Sequence, residues 1–162
     1  MAVEWPGASY RVQSILHTTT AAARTLLYIK APATACWQVT RAWLSNASDV
    51  ASEQLAVRLM QPTADGAAAG TTVTPEPFSD LFAAAGGTVL THLTAEPTYA
   101  GADPWGFHFN EGVGTLNGLR WEAGQGGGIV LAPSTRFAIF MAEAPAVNFN
   151  YYVGCELHIV GA

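Results

Sequence analysis

The segment CWQVTRAWLS, residues 36–45, alternates cleanly in the manner of a β-strand. Successive side chains of a strand point to opposite faces of its sheet. A regular strand would therefore carry Trp37, Val39, Arg41 and Trp43 on one face. The opposite face would carry the residues between them, which are Cys36, Gln38, Thr40, Ala42 and Leu44. The period of two predicts a strand that ends at the polar turn after Ser45.

Segments of the same kind lie on both sides of residues 36–45 and are separated by Gly, Pro, Asn and Ser. The further predicted strands are Ser9–His17, Thr25–Ala31, Glu53–Met60, Thr88–Ala95, Trp105–Asn110, Leu119–Ala123, Gly128–Ala132, Arg136–Glu143 and Phe149–Val160. Asn117-Gly118 is the best hairpin signal, because type I′ turns need positive φ at both central positions. About ten short strands predict an all-β protein, a jelly-roll-like antiparallel sandwich of two sheets.

One segment breaks this rhythm. Phe78, Leu81, Phe82 and Ala85 recur at helical spacing, and Gly86-Gly87 follows them. This pattern predicts one short helical insertion near 78–85. No boundary divides the rest, so we expect a single sandwich domain over residues 9–162.

Residues 1–8 are predicted to form an N-terminal arm. Trp5 lies in this leader, outside the strand pattern, and is followed by Pro6-Gly7. A large aromatic residue there must either fold back on its own core or dock on a neighbour. Docking is the interpretation we favour.

The composition is poor in charge. Only 12% of the 162 residues are charged, and the net charge is −5, whereas typical domains carry about 25% Asp, Glu, Lys and Arg. A GC-rich genome would produce this bias, and so would a surface covered by neighbouring subunits, because interface cores are depleted in charge. Both explanations stay open. The acidic balance argues against a nucleic-acid partner, and no apolar run is long enough for a transmembrane helix.

The residues that could carry chemistry form no recognisable catalytic pattern. His108, Asn110 and Glu111 supply one His where a jelly-roll metal site needs two on a strand. Cys36 and Cys155 lie in strand patterns and are interpreted as small core residues, with a disulfide between them left open. The acids near the late strands are interpreted as solvated charges: Glu111, Glu122, Glu143 and Glu156. We therefore expect no enzymatic activity, no cofactor and no metal.

Aromatic residues are the remaining candidates for a binding surface. Trp5, Trp105 and Trp121, with Tyr151-Tyr152, could form a platform for a sugar or a protein partner. Adjacent residues of one strand face opposite ways, so one of the two tyrosines should lie outside the core. The candidate interaction residues are Trp5, Trp105, Tyr151 and Tyr152.

The order of segments resembles that of small tailed-bacteriophage virion proteins with a jelly-roll-like sandwich. The likeness covers roughly residues 10–160. The segments that carry it are Leu26–Lys30, Val39–Asn46, Glu53-Gln54-Leu55-Ala56-Val57-Arg58, Pro75-Glu-Pro77, Thr94-Ala95-Glu96-Pro97, Gly118-Leu-Arg-Trp121 with Glu122, the apolar strand between Gly128 and Pro133, and Ala144-Pro-Ala146. The glycine-rich turn at 124–128 departs from the pattern, because a Pro-containing segment is expected there.

The resemblance implies a virion structural protein. Capsid decoration or cementing of the head is the first expectation, with a homotrimer and a major capsid protein as partners. The alternatives are a tail- or fibre-associated binding module, which could bind carbohydrate, and a cupin-type β-sandwich enzyme. We expect the chain to be made in the host cytoplasm, since Glu4 and Pro6 do not fit a signal peptide, and to contact no membrane.

Overall fold

The chain folds into β-strands throughout the computed structural model, which describes residues 7–47, 53–99, 108–113, 118–124 and 127–161. Side chains are described for all of these except 53, 54 and 108–113. The strands are β1 (Ser9–Gln13), β2 (His17–Thr18), β3 (Arg24–Lys30), β4 (Cys36–Asn46), β5 (Glu53–Met60), β6 (Ala69–Thr72), β7 (Glu76–Pro77), β8 (Thr88–Ala95), β9 (His108–Val113), β10 (Leu119–Glu122), β11 (Ile129–Leu131), β12 (Arg136–Met141) and β13 (Asn150–Gly161).

The strands form two antiparallel sheets. Sheet A has the order β10-β4-β13-β1-β7, with β11 also on β4 and β2 also on β13. Sheet B has the order β6-β8-β3-β12-β5-β9. The two halves of the chain pair antiparallel along their length, as in one long hairpin. Its successive pairs are β1·β13, β3·β12, β4 with β10 and β11, and β5·β9. Pairing of β13 with β4 and of β12 with β5 rolls that hairpin up. This order is a jelly roll, which confirms the predicted sandwich.

The core lies between the inward faces of the two sheets. The alternating apolar residues of β5 and β8 point into this core, as predicted. They are Leu55, Val57 and Leu59 in β5 and Val89 and Leu93 in β8, and all are buried. Six aromatic rings are among the largest fully buried side chains: Tyr10, Tyr28, Trp37, Phe137, Phe149 and Tyr151. Each large apolar side chain contributes about 1.5–3 kcal/mol when it is withdrawn from water.

A β-bulge at Thr40 corrects the predicted faces of β4. Val39 pairs with Leu157, and the next ladder pair joins Arg41 to Glu156, so Thr40 is an extra residue. An extra residue reverses the alternation beyond it. The second half of the strand therefore buries Ala42 and Leu44. Trp43 faces outward, and its predicted placement on the same face as Trp37 is wrong.

The predicted helix at 78–85 is wrong, because this segment contains only bends and one turn. The backbone of Phe78 continues the extended pairing of β7 with β1 and donates to the Ser9 carbonyl oxygen at 2.9 Å. The single turn is closed by the bond from the Phe82 amide to the Ser79 oxygen, 3.0 Å. A helix of two turns has too few bonds to compete with pairing to an existing sheet.

Residues 78–87, which we call the strap, run from the β1 side of sheet A to β8 in sheet B. Phe82 and Ala85 pack against the core. The Tyr10 hydroxyl donates to the carbonyl oxygen of Ala83 at 2.8 Å. Gly87 ends the strap at φ +85°, and a Cβ there would lie 2.5 Å from the Lys30 oxygen. The strap thus closes one side of the sandwich.

Pairing with β13 begins before Ser9. The Gly7 amide donates to the Ile159 oxygen at 2.7 Å, and the Ile159 amide donates to the Ala8 oxygen at 2.9 Å. Ala8 is fully buried. The last two residues of the predicted arm therefore belong to the sandwich, whereas Trp5 lies outside the described residues.

Candidate functional site

The outer face of sheet A carries a row of charges across five strands. In strand order the residues are Glu122 on β10, Arg41 on β4, Glu156 on β13, Arg11 on β1 and Glu76 on β7, and each is registered opposite the next. Arg41 donates to Glu122 through Nε at 2.6 Å and to Glu156 through Nη1 at 2.7 Å. Arg11 Nη2 lies 3.3 Å from Glu76 Oε2. The signs alternate along the whole row.

This charge row orders side chains more than it stabilises the fold. Exposed ion pairs are worth only about 0–1 kcal/mol each. The row does fix Arg41 between two carboxylates. Arg120, which also pairs with Glu122, lowers the pKa of that carboxyl group, with a contribution from Arg41. Glu122 therefore stays ionised and is a poor proton donor near neutral pH.

Next to the charge row, the indole of Trp43 lies over Gly154. The two residues are registered neighbours on β4 and β13. A Cβ on Gly154 would lie 2.4 Å from Cζ2 and 2.7 Å from Cε2 of Trp43, closer than any side-chain atom can approach. Only glycine lets this indole settle onto the neighbouring strand. Trp43 is partly buried as a result, although it stands on the outer face.

Two depressions flank the Arg41–Glu156 ion pair. The first, of about 330 Å³, contains the exposed side of Trp43, and its lining is Arg11, Gln13, Arg41, Trp43, Arg120 and Glu156. The second, of about 350 Å³, is lined by backbone and side chains of β4, β10 and the following turn, including Gln38 and Glu122. Arg41 and Glu156 line both, so the depressions adjoin.

A second polar cluster bridges the two sheets at the end of the sandwich where β2 and β8 meet. The rings of His17 and His92 stack with centroids 4.8 Å apart. Arg24 Nη1 donates to His92 Nε2 at 2.9 Å, so the ring proton is on Nδ1, which donates to the Tyr151 hydroxyl at 2.9 Å. His17 Nε2 lies 3.0 Å from Thr91 Oγ1. Burial lowers the pKa of both rings. The neighbouring His92 lowers the pKa of His17 further, and Arg24 lowers that of His92.

A third cluster lies on sheet B. The Asp65 carboxylate accepts bonds from the Tyr28 hydroxyl (2.6 Å), Lys30 Nζ (2.6 Å) and Arg136 Nε (2.5 Å). The bond from Arg136, followed by those from Lys30 and Tyr28, holds the pKa of Asp65 far below its usual range. The cluster ties the loop after β5 to the sheet.

Of the four predicted interaction residues, the structure describes Tyr151 and Tyr152, which point to opposite faces of β13. Trp5 and Trp105 lie outside the described residues. Tyr151 is fully buried, where its hydroxyl meets His92, so it offers no ring to a partner. Tyr152 is partly buried and pairs with Ser45 on the outer face of sheet A.

The other residues considered for chemistry form no catalytic or metal-binding group among the described side chains. Cys36 and Cys155 are free thiols, registered opposite Gly161 and Ala42 respectively, and burial raises the pKa of Cys155. The structure brings Glu122 and Glu156 together, because both accept from Arg41. The side chains of His108 and Glu111 lie outside the description, and the side chains that are described include no group of three metal-binding residues.

Sequence reasoning missed Trp43 and the arginines around it. Strict alternation placed Trp43 beside buried Trp37, and only the bulge at Thr40 turns it outward. One signal was available: six of the seven basic residues are Arg, and three of the six, at positions 11, 41 and 120, fall in separate predicted strands. Their convergence on one face depends on strand order, which no local pattern contains.

The fold and this face define a jelly-roll sandwich with a polar, tryptophan-bearing outer sheet. No family model, no curated protein and no solved structure matches the chain. The described residues contain no helix long and apolar enough to cross a membrane.

Proposed function

We propose that the protein is a structural component of a bacteriophage particle, most specifically a decoration or cement protein that stabilises the head through contacts between subunits. The observation that carries the proposal is the strap. Its side chains Phe78 and Leu81 are 58% and 88% exposed, although the chain has few charged residues to keep such a surface soluble. Exposed apolar groups of this size mark contact sites when a neighbour covers them.

The fold is compatible with this role. Jelly rolls serve as viral capsid and lectin domains, among others, so the fold alone does not select one. The strap lies at a lateral side of the sandwich, beside β7 at the edge of sheet A. A contact between two different patches of neighbouring subunits builds a ring when the rotation from one subunit to the next closes. The proposed homotrimer uses this contact between its subunits and other surfaces toward a major capsid protein.

The proposal is tested by quantitative mass spectrometry of virus particles purified from the host culture that produces the chain. Hundreds of copies per particle are expected for a head decoration protein. A handful of copies would place the protein at a vertex or the tail and overturn the decoration role. Absence from particles would overturn the virion assignment altogether.

Replacing both exposed residues of the strap should weaken self-association. The double variant Phe78→Ser, Leu81→Ser is expected to raise the dissociation constant of the oligomer at least about 100-fold, because burying each large apolar side chain contributes about 1.5–3 kcal/mol. Sedimentation velocity over a concentration series measures the change. Val130→Ser removes a side chain of similar exposure, 58%, on the far edge of sheet A and should leave the oligomer intact. A wild-type protein that stays monomeric at high concentration contradicts the prediction.

The second candidate function is a tail- or fibre-associated binding module. The feature that favours it is the first depression on the outer face of sheet A, where an aromatic ring stands among hydrogen-bonding side chains. A module of this kind would recognise its ligand with this face and would not need the strap.

A further inference from the structure

We infer that the depression at Trp43 is a binding site for a saccharide that carries an acidic group. The site stands on its own geometry, whether or not the protein belongs to a virus particle. It uses the outer face of sheet A, whereas the proposed subunit contact uses the strap.

The indole of Trp43 forms an aromatic floor in the depression. Trp43 is supported from below by the backbone at Gly154, so its indole is held in place before any ligand arrives. An amphipathic aromatic ring of this kind offers one apolar face next to polar neighbours. A pyranose ring matches it, because one face of the sugar exposes C–H groups while its rim carries hydroxyls.

Hydrogen-bonding side chains surround that floor. Arg11, Arg41 and Arg120 present forked N–H donors, Glu156 presents carboxylate acceptors, and Gln13 presents both kinds. Hydroxyls on adjacent carbons of a sugar are spaced to meet such paired donors and acceptors. The contacts of Arg41 with Glu122 and Glu156 fix its orientation beforehand, which lowers the entropy lost on binding.

The depression carries an excess of positive charge. Three arginines and one glutamate line this depression, in a chain whose net charge is −5. The side chains of Arg11 and Arg120 are 50% and 59% exposed, so each keeps donors directed to solvent. Arg binds planar carboxylates in bidentate fashion. A uronic or sialic acid carboxylate is therefore the group expected beside Trp43.

The adjoining depression extends the site. It shares Arg41 and Glu156 with the first, and its carboxylates, Glu122 and Glu156, outnumber its one arginine. This half suits neutral hydroxyl groups that donate to carboxylates. The two halves together fit an oligosaccharide of at least two units, with the acidic unit over Trp43.

A second copy of this chain is a poorer occupant for the same face. Pressing two copies of this face together would desolvate the charge row, and interface cores are depleted in charged residues. A saccharide replaces water at each charged group with a hydroxyl or a carboxylate and leaves the rest of the row solvated.

The test begins with the full-length protein on an array of oligosaccharides that includes uronic-acid and sialylated chains and their methyl-esterified or desialylated counterparts. Binding to acidic members is expected, with the uncharged counterpart at least tenfold weaker. Affinity for the acidic member should fall as NaCl is raised from about 0.05 to 0.5 M, since salt screens exposed charges. Binding to no member, or equal binding to both members of each pair, overturns the inference.

Calorimetry with the best-bound oligosaccharide then assigns the site. Trp43→Ala should weaken binding at least tenfold, and Arg120→Gln should reduce the preference for the acidic member more than it affects the neutral one. Val130→Ser, on the same face outside both depressions, should bind as wild type. Equal losses in the Val130 variant overturn the assignment. A Trp43→Ala protein that binds the oligosaccharide as tightly as wild type also overturns the assignment.

The two proposals fail separately. The strap variant Phe78→Ser, Leu81→Ser should keep full saccharide affinity while its oligomer dissociates. Trp43→Ala should keep the oligomer, checked by sedimentation, while its affinity falls.

Discussion

Gly154→Ala is expected to destabilise the protein by about 3 kcal/mol, because the new methyl group has no space. Its Cβ would lie 2.3 Å from the carbonyl oxygen of Val12 and 2.4 Å from Trp43 Cζ2. The Val12 oxygen belongs to the neighbouring strand β1 and cannot move without breaking the ladder with β13. For a chain of this length, such a loss lowers Tm by about 10 °C.

Urea unfolding and differential scanning calorimetry measure this effect. Gly161→Ala is the matched control, because it lies on the same strand and its added Cβ would meet nothing within 4 Å. It should unfold as wild type. In a Trp43→Ala background the cost of Gly154→Ala should fall but not vanish, since the clash with Val12 remains. Wild-type stability of the single Gly154 variant would show that the indole does not lie over this glycine.

Acidification is expected to destabilise the protein below about pH 6.5 through His17 and His92. Burial lowers the pKa of each ring in the folded state, so each ring binds a proton less readily there than in the unfolded chain. In the unfolded chain they titrate near pH 6.5. Below that pH the unfolded state binds more protons than the folded state, so the free energy of unfolding decreases as pH falls. Above it, this contribution is complete and constant.

The geometry explains why the folded rings resist protons. Protonation of His92 Nε2 would set a second positive charge against Arg24, whose Nη1 now donates to that nitrogen. A charge on His17 would lie against the stacked ring of His92. Each histidine can contribute a slope of at most about 1.4 kcal/mol per pH unit, and this limit is approached only where the unfolded ring is protonated and the folded ring is not.

Variants separate the two contributions. His92→Asn fits the left-handed backbone at this position, φ 50°, because Asn tolerates that region. His17→Gln retains an N–H donor for Thr91. Each single variant should remove about half of the pH-dependent loss in urea midpoints measured from pH 8 to 5, and the double variant should remove most of it. A double variant as acid-labile as wild type would assign the loss to other groups.

Local sequence was a sufficient guide to the strands. In β5 and β8 the predicted bounds agree with the structure to the residue, because alternating burial and flanking Pro or Gly are properties of the segment itself. The same pattern was insufficient at two places. The Thr40 bulge is specified by pairing with β13, and the strap takes its conformation from β1, so neither is a property of its own residues.

The sequence by itself therefore determined the class of fold and much of the core, since a period of two and frequent turn residues leave a two-sheet sandwich as the economical way to bury the apolar faces. Tertiary structure alone decided the candidate site. Arg11, Arg41, Arg120 and Glu156 come from four strands far apart in the chain, and the jelly-roll order places them side by side. Trp43 joins them only because one extra residue reverses the face of β4 and a glycine on β13 leaves room for its ring.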